Sequence, residues 1–321
     1  MKIAFHCNQL SLRGTEVAMY DYAHYNEELL GNKSIILAKN PAVWKYSDQP
    51  AIDKFKSRFQ VFFYDNINEI EKILDDNNVD VFYAQKAGGK DGVVSIKRKT
   101  VIHAVFQQYE PHGDVYAFIS EWLSGLYGKA HGFVPYMVDL PNHNDNMRKQ
   151  LNIPENAYVF GRHGGYETFD IPFVKDFIGR FIEERKDVYF LFMNTEKFID
   201  HPRVIFLEPT ADFLKKTEFI NTCTAMLHAR YKGETFGLAC GEFSLRNKPV
   251  ITYAKSMDKA HQMILKDKIF IYSNQLELSL IFRNLETYFS KENLNKDWNQ
   301  YKDYSPEKVM KKFKKVFLDG N

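Results

Sequence analysis

A chain of 321 residues with 45% hydrophobic and 26% charged residues is long enough for two domains with separate cores and too apolar to be disordered. The formal net charge of +2 gives no reason to expect a nucleic-acid partner, and Cys7, Cys223 and Cys240 are too few and too far apart for a disulfide framework or a zinc site. The opening MKIAFHCN has no basic stretch leading into an apolar one, and no apolar run approaches bilayer length, so the expected compartment is the cytoplasm, with peripheral membrane contact left open.

Taken in order, residues 2–7 (KIAFHC) read as a buried first strand, closed by a polar, Gly-containing loop at 8–15. From Glu16, the apolar residues Val17, Met19, Tyr20, Tyr22 and Ala23 recur at helical spacing. Further strands are expected at 34–38, 59–64 and 79–84, with a helix at 68–77 and a loop at 85–89. The strand at 100–106 carries His103 in its middle, and that at 115–120 runs straight into a helix at Glu121. Residues 133–141 read as a strand broken by prolines, and the polar stretch 142–146 after them marks a domain boundary.

The second half repeats the alternation. Strands are expected at 158–161, 188–193, 204–207, 224–228, 250–253 and 268–272, and a loop at 162–165. Helices are expected at 171–185, where Pro172 suits the first turn, at 212–221, and from 276 onward. The pattern predicts an α/β protein: two Rossmann-like βαβ domains facing a central cleft, at 1–136 and 137–295, with a helical segment at 296–321 placed to pack back on the first. The turn at 8–14 lacks the tight glycine pattern of a dinucleotide fingerprint, which argues against a nicotinamide-dependent dehydrogenase.

One stretch gathers these elements into a site. Residues 233–242 read GETFGLACGE, in which Glu234 and Glu242 flank a Gly-bearing entry into a helix. An acid in the loop and another two turns down the helix can hold the two ends of an elongated polar ligand, and the helix N-terminus between them suits a phosphate. Glycine loops that open helices are common and exposed glutamates are usually just solvated, so the pair takes its weight from its surroundings.

Those surroundings resemble the retaining glycosyltransferases of the GT-B fold, and within them family 4. GETFGLACGE followed by Asn247-Lys248-Pro249-Val250-Ile251 looks like that family's Glu-x7-Glu element with its Gly-x-Pro-Val-Ile strand. Gly14-Thr15-Glu16 is similar to the Gly-Gly-x-Glu loop after strand one, and Phe118-Ile119-Ser120-Glu121 to a Val-Ser-Glu/Asp segment. Val134-Pro135-Tyr136-Met137-Val138-Asp139 is similar to the family's interdomain crossover, and Gly161-Arg162 to a strand-ending Gly-Arg. The likenesses come in the family's order and cover most of the chain.

The resemblance implies transfer of a sugar from an NDP-sugar donor to a hydroxyl of a glycan, lipid-linked or other acceptor, with retention of anomeric configuration. It implies that Glu242 accepts both ribose hydroxyls, a task for which a carboxylate has two oxygens. Glu234 meets hydroxyls of the transferred sugar, and Thr235 and the N–H groups of Phe236, Gly237 and Leu238 line the donor. Arg162 balances the departing diphosphate, a charge that grows in the transition state, and the Gly14 loop approaches the same phosphates. His103 is the first-domain residue implied to lie nearest the anomeric carbon; the alternative for it is a buried strand histidine.

This sequence departs from the family at Glu167, where the family's second phosphate-binding Lys stands. Arg13, Arg230 and Lys232 are the candidates to supply that cation, with His163 beside Arg162 as a further phosphate ligand. The chain has no Asp-x-Asp pair, so neither a metal nor a cofactor beyond the donor is expected. The competing reading is a catalytically weak or inactive GT-B nucleotide-binding subunit. The base, sugar and acceptor are not encoded in side chains, since base contacts are expected through backbone around 207–215.

Overall fold

The computed structural model describes residues 1–319. The chain divides into two compact units, Met1–Met137 together with the chain from Tyr304, and Val138–Asp303.

Unit 1 runs β1 (Lys2–His6), α1 (Gly14–Glu28), β2 (Lys33–Lys39), α2 (Gln49–Arg58), β3 (Gln60–Tyr64), α3 (Glu69–Asp76), β4 (Val81–Lys86), β5 (Lys99–Ala104), β6 (Val115–Phe118) and α4 (Glu121–Leu126). Its strands form one parallel sheet in the order β3-β2-β1-β4-β5-β6. The inner strands β1, β2 and β4 are buried on both faces, as parallel sheets require, and this is why they read as apolar runs rather than as alternation. Helix α2 is absent from the sequence-based expectation, although Ala51, Ile52 and Phe55 bury one face and Pro50 sits in its first turn.

Unit 2 contains β7 (Tyr158–His163), α5 (Pro172–Glu184), β8 (Val188–Met193), β9 (Val204–Leu207), α6 (Phe213–Thr222), β10 (Ala225–His228), β11 (Gly233–Glu234), α7 (Leu238–Leu245), β12 (Val250–Tyr253), β13 (Asp258–Lys259), α8 (Ala260–Leu265) and β14 (Ile269–Tyr272). Three short helices follow: α9 (Gln275–Arg283), α10 (Leu285–Tyr288) and α11 (Lys291–Leu294). The sheet is again parallel, in the order β14-β12-β10-β7-β8-β9. A Phe-rich core of Phe160, Phe177, Phe181, Phe190 and Phe282 packs on one side of it.

Two expectations are corrected. Residues 133–141 are extended but not a strand: beyond one bridge between Phe118 and Phe133 they pair with no sheet, and Pro135 and Pro141 have no N–H to offer a ladder. The chain from 276 onward is not continuously helical. It breaks between α11 and α12 (Pro306–Phe313), and a π-helical turn at Lys314–Leu318 follows. Phe313 and Phe317 from this last stretch pack on Phe5, Tyr22, Tyr83 and His103, completing the core of unit 1.

In each sheet the strand order reverses beside the unit's first strand, between β1 and β4 and between β7 and β10. Open α/β sheets bind ligands beyond the strand C-termini at such a reversal.

Candidate functional site

The reversal in unit 2 brings together His163 at the end of β7 and His228 at the end of β10. From β10 the chain passes through Arg230 into β11, whose two residues pair with β13, Gly233 with Asp258 and Glu234 with Lys259. This small ladder fixes where Glu234 sits. Gly233 has φ +73°, and any Cβ there would run into the Asp258 carbonyl. Gly237, at φ +90°, is the N-cap of α7 and lies so close to His261 that a Cβ would come within 2.8 Å of the histidine Cβ. Both positions need a residue that adopts left-handed backbone without a side chain. Gly237 offers no side chain to the first-turn N–H groups of α7.

Glu242, one turn into α7, is 2% exposed. Its Oε1 accepts from Lys216 Nζ of α6 at 2.6 Å. Its Oε2 lies 3.0 Å from His163 Nε2, but the two are not aligned for a hydrogen bond, so each is a buried polar atom without one. Burial pushes the carboxyl up, yet Lys216 and His163 outweigh it and hold the group down at about 2. The carboxylate is thus anchored through one oxygen and keeps acceptor capacity on the other. Lys216 escaped sequence reasoning because on a short amphipathic helix a lysine reads as solvated.

Glu234 keeps 24% of its side chain exposed. Arg230 Nη1 donates to its Oε2 at 2.9 Å, and His228 Nε2 lies 3.3 Å from its Oε1. Burial again pushes this carboxyl up, and Arg230 and His228 bring it down to about 2. Behind it, His228 Nδ1 is 2.9 Å from Thr252 Oγ1 on β12, and that hydroxyl is 3.0 Å from His261 Nε2 on α8.

Thr235 and Phe236 are buried, and Phe236 is held by the ring of Tyr301, whose hydroxyl donates to the Phe236 carbonyl at 3.1 Å. Leu238 opens α7 half-buried, and Lys232 is exposed in the preceding turn.

Arg162 is held by groups of the protein itself. It is 4% exposed, and its guanidinium donates to Thr195 Oγ1 at 2.5 Å, Gly165 O at 2.9 Å, Asn194 O at 3.3 Å and Thr168 Oγ1. It ties together the loops after β7 and β8, and burial brings its pKa down to about 10. Arg230 is likewise committed, to Glu234.

His103 lies inside unit 1. It is 0% exposed in β5, with Nδ1 2.5 Å from Tyr83 OH and Nε2 2.9 Å from the Val134 carbonyl. Burial pushes its pKa down to about 3, and both ring nitrogens are engaged within the protein. Also in unit 1, Gly14 and Arg13 are exposed at the start of α1, and Glu16 is buried against Ser11 at 2.8 Å.

Two parallel six-stranded sheets, each reversing at its first strand, define the GT-B fold of glycosyltransferases. No family model matches the chain, and no curated protein matches it by sequence. Among solved structures, it is similar over 99% of its length to all of HepE from Anabaena, solved with UDP and glucose, with a TM-score of 0.76 and 13% identity. It is similar over 99% of its length to 99% of a glycosyltransferase from Rickettsia africae, with a TM-score of 0.70 and 11% identity. A protein from Listeria monocytogenes described as a UDP-N-acetylglucosamine 2-epimerase matches all of this chain over 97% of its own, with a TM-score of 0.64 and 12% identity. Among the described residues no helix is long and apolar enough to cross a membrane.

Proposed function

We propose that the protein is a glycosyltransferase of the family 4 type, moving a sugar from a nucleoside-diphosphate sugar to an acceptor hydroxyl with retention of anomeric configuration. The observation that carries this reading is the pair Glu234 and Glu242, both held ionised, on either side of the uncapped α7 N-terminus at the strand ends of unit 2. In this reading Glu242 Oε2, which has no hydrogen-bond partner, accepts a ribose hydroxyl, and His163 Nε2 beside it reaches the same ribose or the phosphate next to it. The partly exposed Glu234 accepts from hydroxyls of the sugar. The α7 N–H groups, with Lys232, take the diphosphate, whose growing charge they stabilise as the bond to the anomeric carbon breaks. The acceptor hydroxyl then attacks from the face the diphosphate leaves. No residue is assigned to a metal, and turnover unchanged by a chelator is the matching expectation.

The engagement of Arg162 and Arg230 within the protein favours a second reading, a GT-B subunit that binds nucleotide and turns it over weakly. The test starts with thermal shifts for UDP, GDP, ADP and dTDP, because a ligand that binds only the folded state raises its melting temperature. The sugar nucleotides of the winning base are then assayed for hydrolysis and transfer, with the product anomer read by NMR. Glu234→Ala should lower turnover by about a hundredfold with little change in nucleotide affinity, on the scale of one lost transition-state contact, and Glu242→Ala should do the reverse. Tight binding without turnover supports the second reading, and epimerisation of the sugar nucleotide in place of transfer refutes both.

A further inference from the structure

The hydrogen bonds behind Glu234 have a polarity that the site itself dictates. An ionised carboxylate can only accept, so the nitrogen that faces Glu234 Oε1, His228 Nε2, must carry the proton. In the neutral form, an imidazole with Nε2–H has a lone pair on Nδ1, and with Thr252 Oγ1 2.9 Å away the threonine hydroxyl is then the donor to it. That hydroxyl has then spent its one proton and accepts from His261 Nε2 at 3.0 Å. His261 is left with a lone pair on Nδ1, and this atom has no hydrogen-bond partner. The chain of donors therefore runs in one direction, from His261 through Thr252 and His228 to Glu234. Thr252 and His261 are 0% exposed and His228 4%, so no bulk water competes for these positions.

We propose that His228, Thr252 and His261 act as positioning residues for Glu234, forming a one-way hydrogen-bonded ladder that locks His228 in the Nε2–H tautomer and so fixes how the carboxylate presents its remaining lone pairs to the sugar hydroxyls. The proposal rests on the glycosyltransferase reading for its substrate, but the ladder itself is a property of the resting protein. It joins four elements, since His228 ends β10, Thr252 lies on β12, His261 on α8 and Glu234 on β11. His261 also packs against Gly237, so the ladder braces the same turn that starts α7. On the opposite side Arg230 holds Oε2. Glu234 is thereby gripped on both oxygens, once by the Arg230 guanidinium and once by an imidazole N–H whose tautomer the ladder sets. Thr252 is the pivot, because it donates and accepts through a single atom, Oγ1.

Two measurements test this. Long-range ¹H–¹⁵N spectra of imidazole-labelled protein, assigned with His228→Gln and His261→Gln, report the tautomers without reference to activity. Both histidines should be Nε2–H with an unprotonated Nδ1, and Thr252→Val should remove that preference at His228 while Thr252→Ser preserves it. An Nδ1–H tautomer at either histidine in the wild type overturns the ladder even if the enzyme transfers sugar. In the second measurement, Thr252→Val should lower kcat with the best sugar nucleotide about tenfold and leave UDP affinity within about twofold, while Thr252→Ser keeps kcat within about twofold of wild type. With donors deoxygenated at one sugar hydroxyl at a time, the Val variant should lose its deficit at the same hydroxyl where Glu234→Gln does. A Val variant that matches wild type, or one that loses UDP affinity as much as kcat, overturns the positioning role. Correct tautomers in a wild-type protein that turns over no sugar nucleotide uphold the ladder and count against the transferase reading alone.

Discussion

At the reversal of unit 1, β1 and β4 end in His6 and Lys86, whereas at that of unit 2, β7 and β10 end in His163 and His228. The backbone arrangement is the same, and the side chains around it are held differently. In unit 1 most buried polar groups meet neutral partners: His6 with Tyr64 at 2.7 Å, Gln85 with Tyr136 at 2.9 Å, His103 with Tyr83 at 2.5 Å and Glu16 with Ser11 at 2.8 Å. Burial pushes Glu16 up to about 7. The ion pair there, Lys86 with Asp91 at 2.5 Å, braces a loop. In unit 2 the carboxylates meet cations and stay ionised at about 2. A duplicated topology thus offers two equivalent places for a ligand, and the counter-charges decide which of them is poised as a fixed anionic site.

The contrast breaks most visibly at Lys216. Lys216→Met leaves Glu242 buried without its closest cation and should cost on the order of 3 kcal/mol in urea unfolding, whereas pairing it with Glu242→Leu should recover most of the loss. Recovery is the informative outcome, since no recovery would mean that Lys216 matters for packing rather than for charge. His103→Gln sharpens the other side. It disturbs a neutral core contact and should cost about 2 kcal/mol of stability, with kcat of the folded protein unchanged. A large fall in kcat at full folding would return His103 to the chemistry.

Acid provides the gentlest probe. His6, His103 and His261 are pushed down to about 3 by burial, so the stability they contribute is present above their unfolded value of about 6.5 and is lost as pH falls toward 3. Glu16 works in the opposite sense: its raised pKa stabilises below about 4.5, and that contribution is lost as pH rises through about 7. Glu234 and Glu242, being depressed, lose their contribution as pH falls from about 4.5 toward 2. Each proton of difference changes stability by about 1.4 kcal/mol per pH unit. Below about pH 4.5, the buried groups that cost unit 2 stability are His261, Glu234 and Glu242, and those that cost unit 1 stability are His6 and His103, while more exposed carboxylates with lowered pKa add in the same direction in both units, Asp75, Asp91 and Glu307 in unit 1 and Asp187, Asp200 and Asp297 in unit 2. Hydrogen exchange followed by peptide mass spectrometry at pH 3.5 to 4.5 should show unit 2 opening first; the reverse order would mean that other groups dominate.

Much of this was legible in the chain. Continuous apolar runs such as KIAFH and VYFLFM announce parallel strands buried on both faces, and GETFGLACGE announces a glycine entry to a helix with an acid on either side. What escaped were side chains whose meaning depends on distant partners. Lys216 stands 26 residues before Glu242, and Thr252 stands 24 after His228. No spacing rule links them, because β strands and their crossovers intervene. Arg162 stands at a strand end as the sequence indicates, but the hydroxyls of Thr168 and Thr195 that orient it carry no signal in the sequence. His103 received its role from the resemblance, beside the alternative of a buried strand histidine, and nothing in the local sequence shows that a tyrosine and a carbonyl across the core engage its ring.

The aromatic closure of unit 1 by Phe313 and Phe317 has a consequence for the order of biosynthesis. A ribosome releases the six strands of unit 1 first, but the side chains that seal their core emerge only after all of unit 2 has been made. The first unit to be synthesised is thus the second to be finished, and unit 2, contiguous in sequence, can fold while unit 1 waits with Phe5, Tyr22 and Tyr83 uncovered. A nascent chain stalled before Tyr304 should expose that aromatic surface to chaperones.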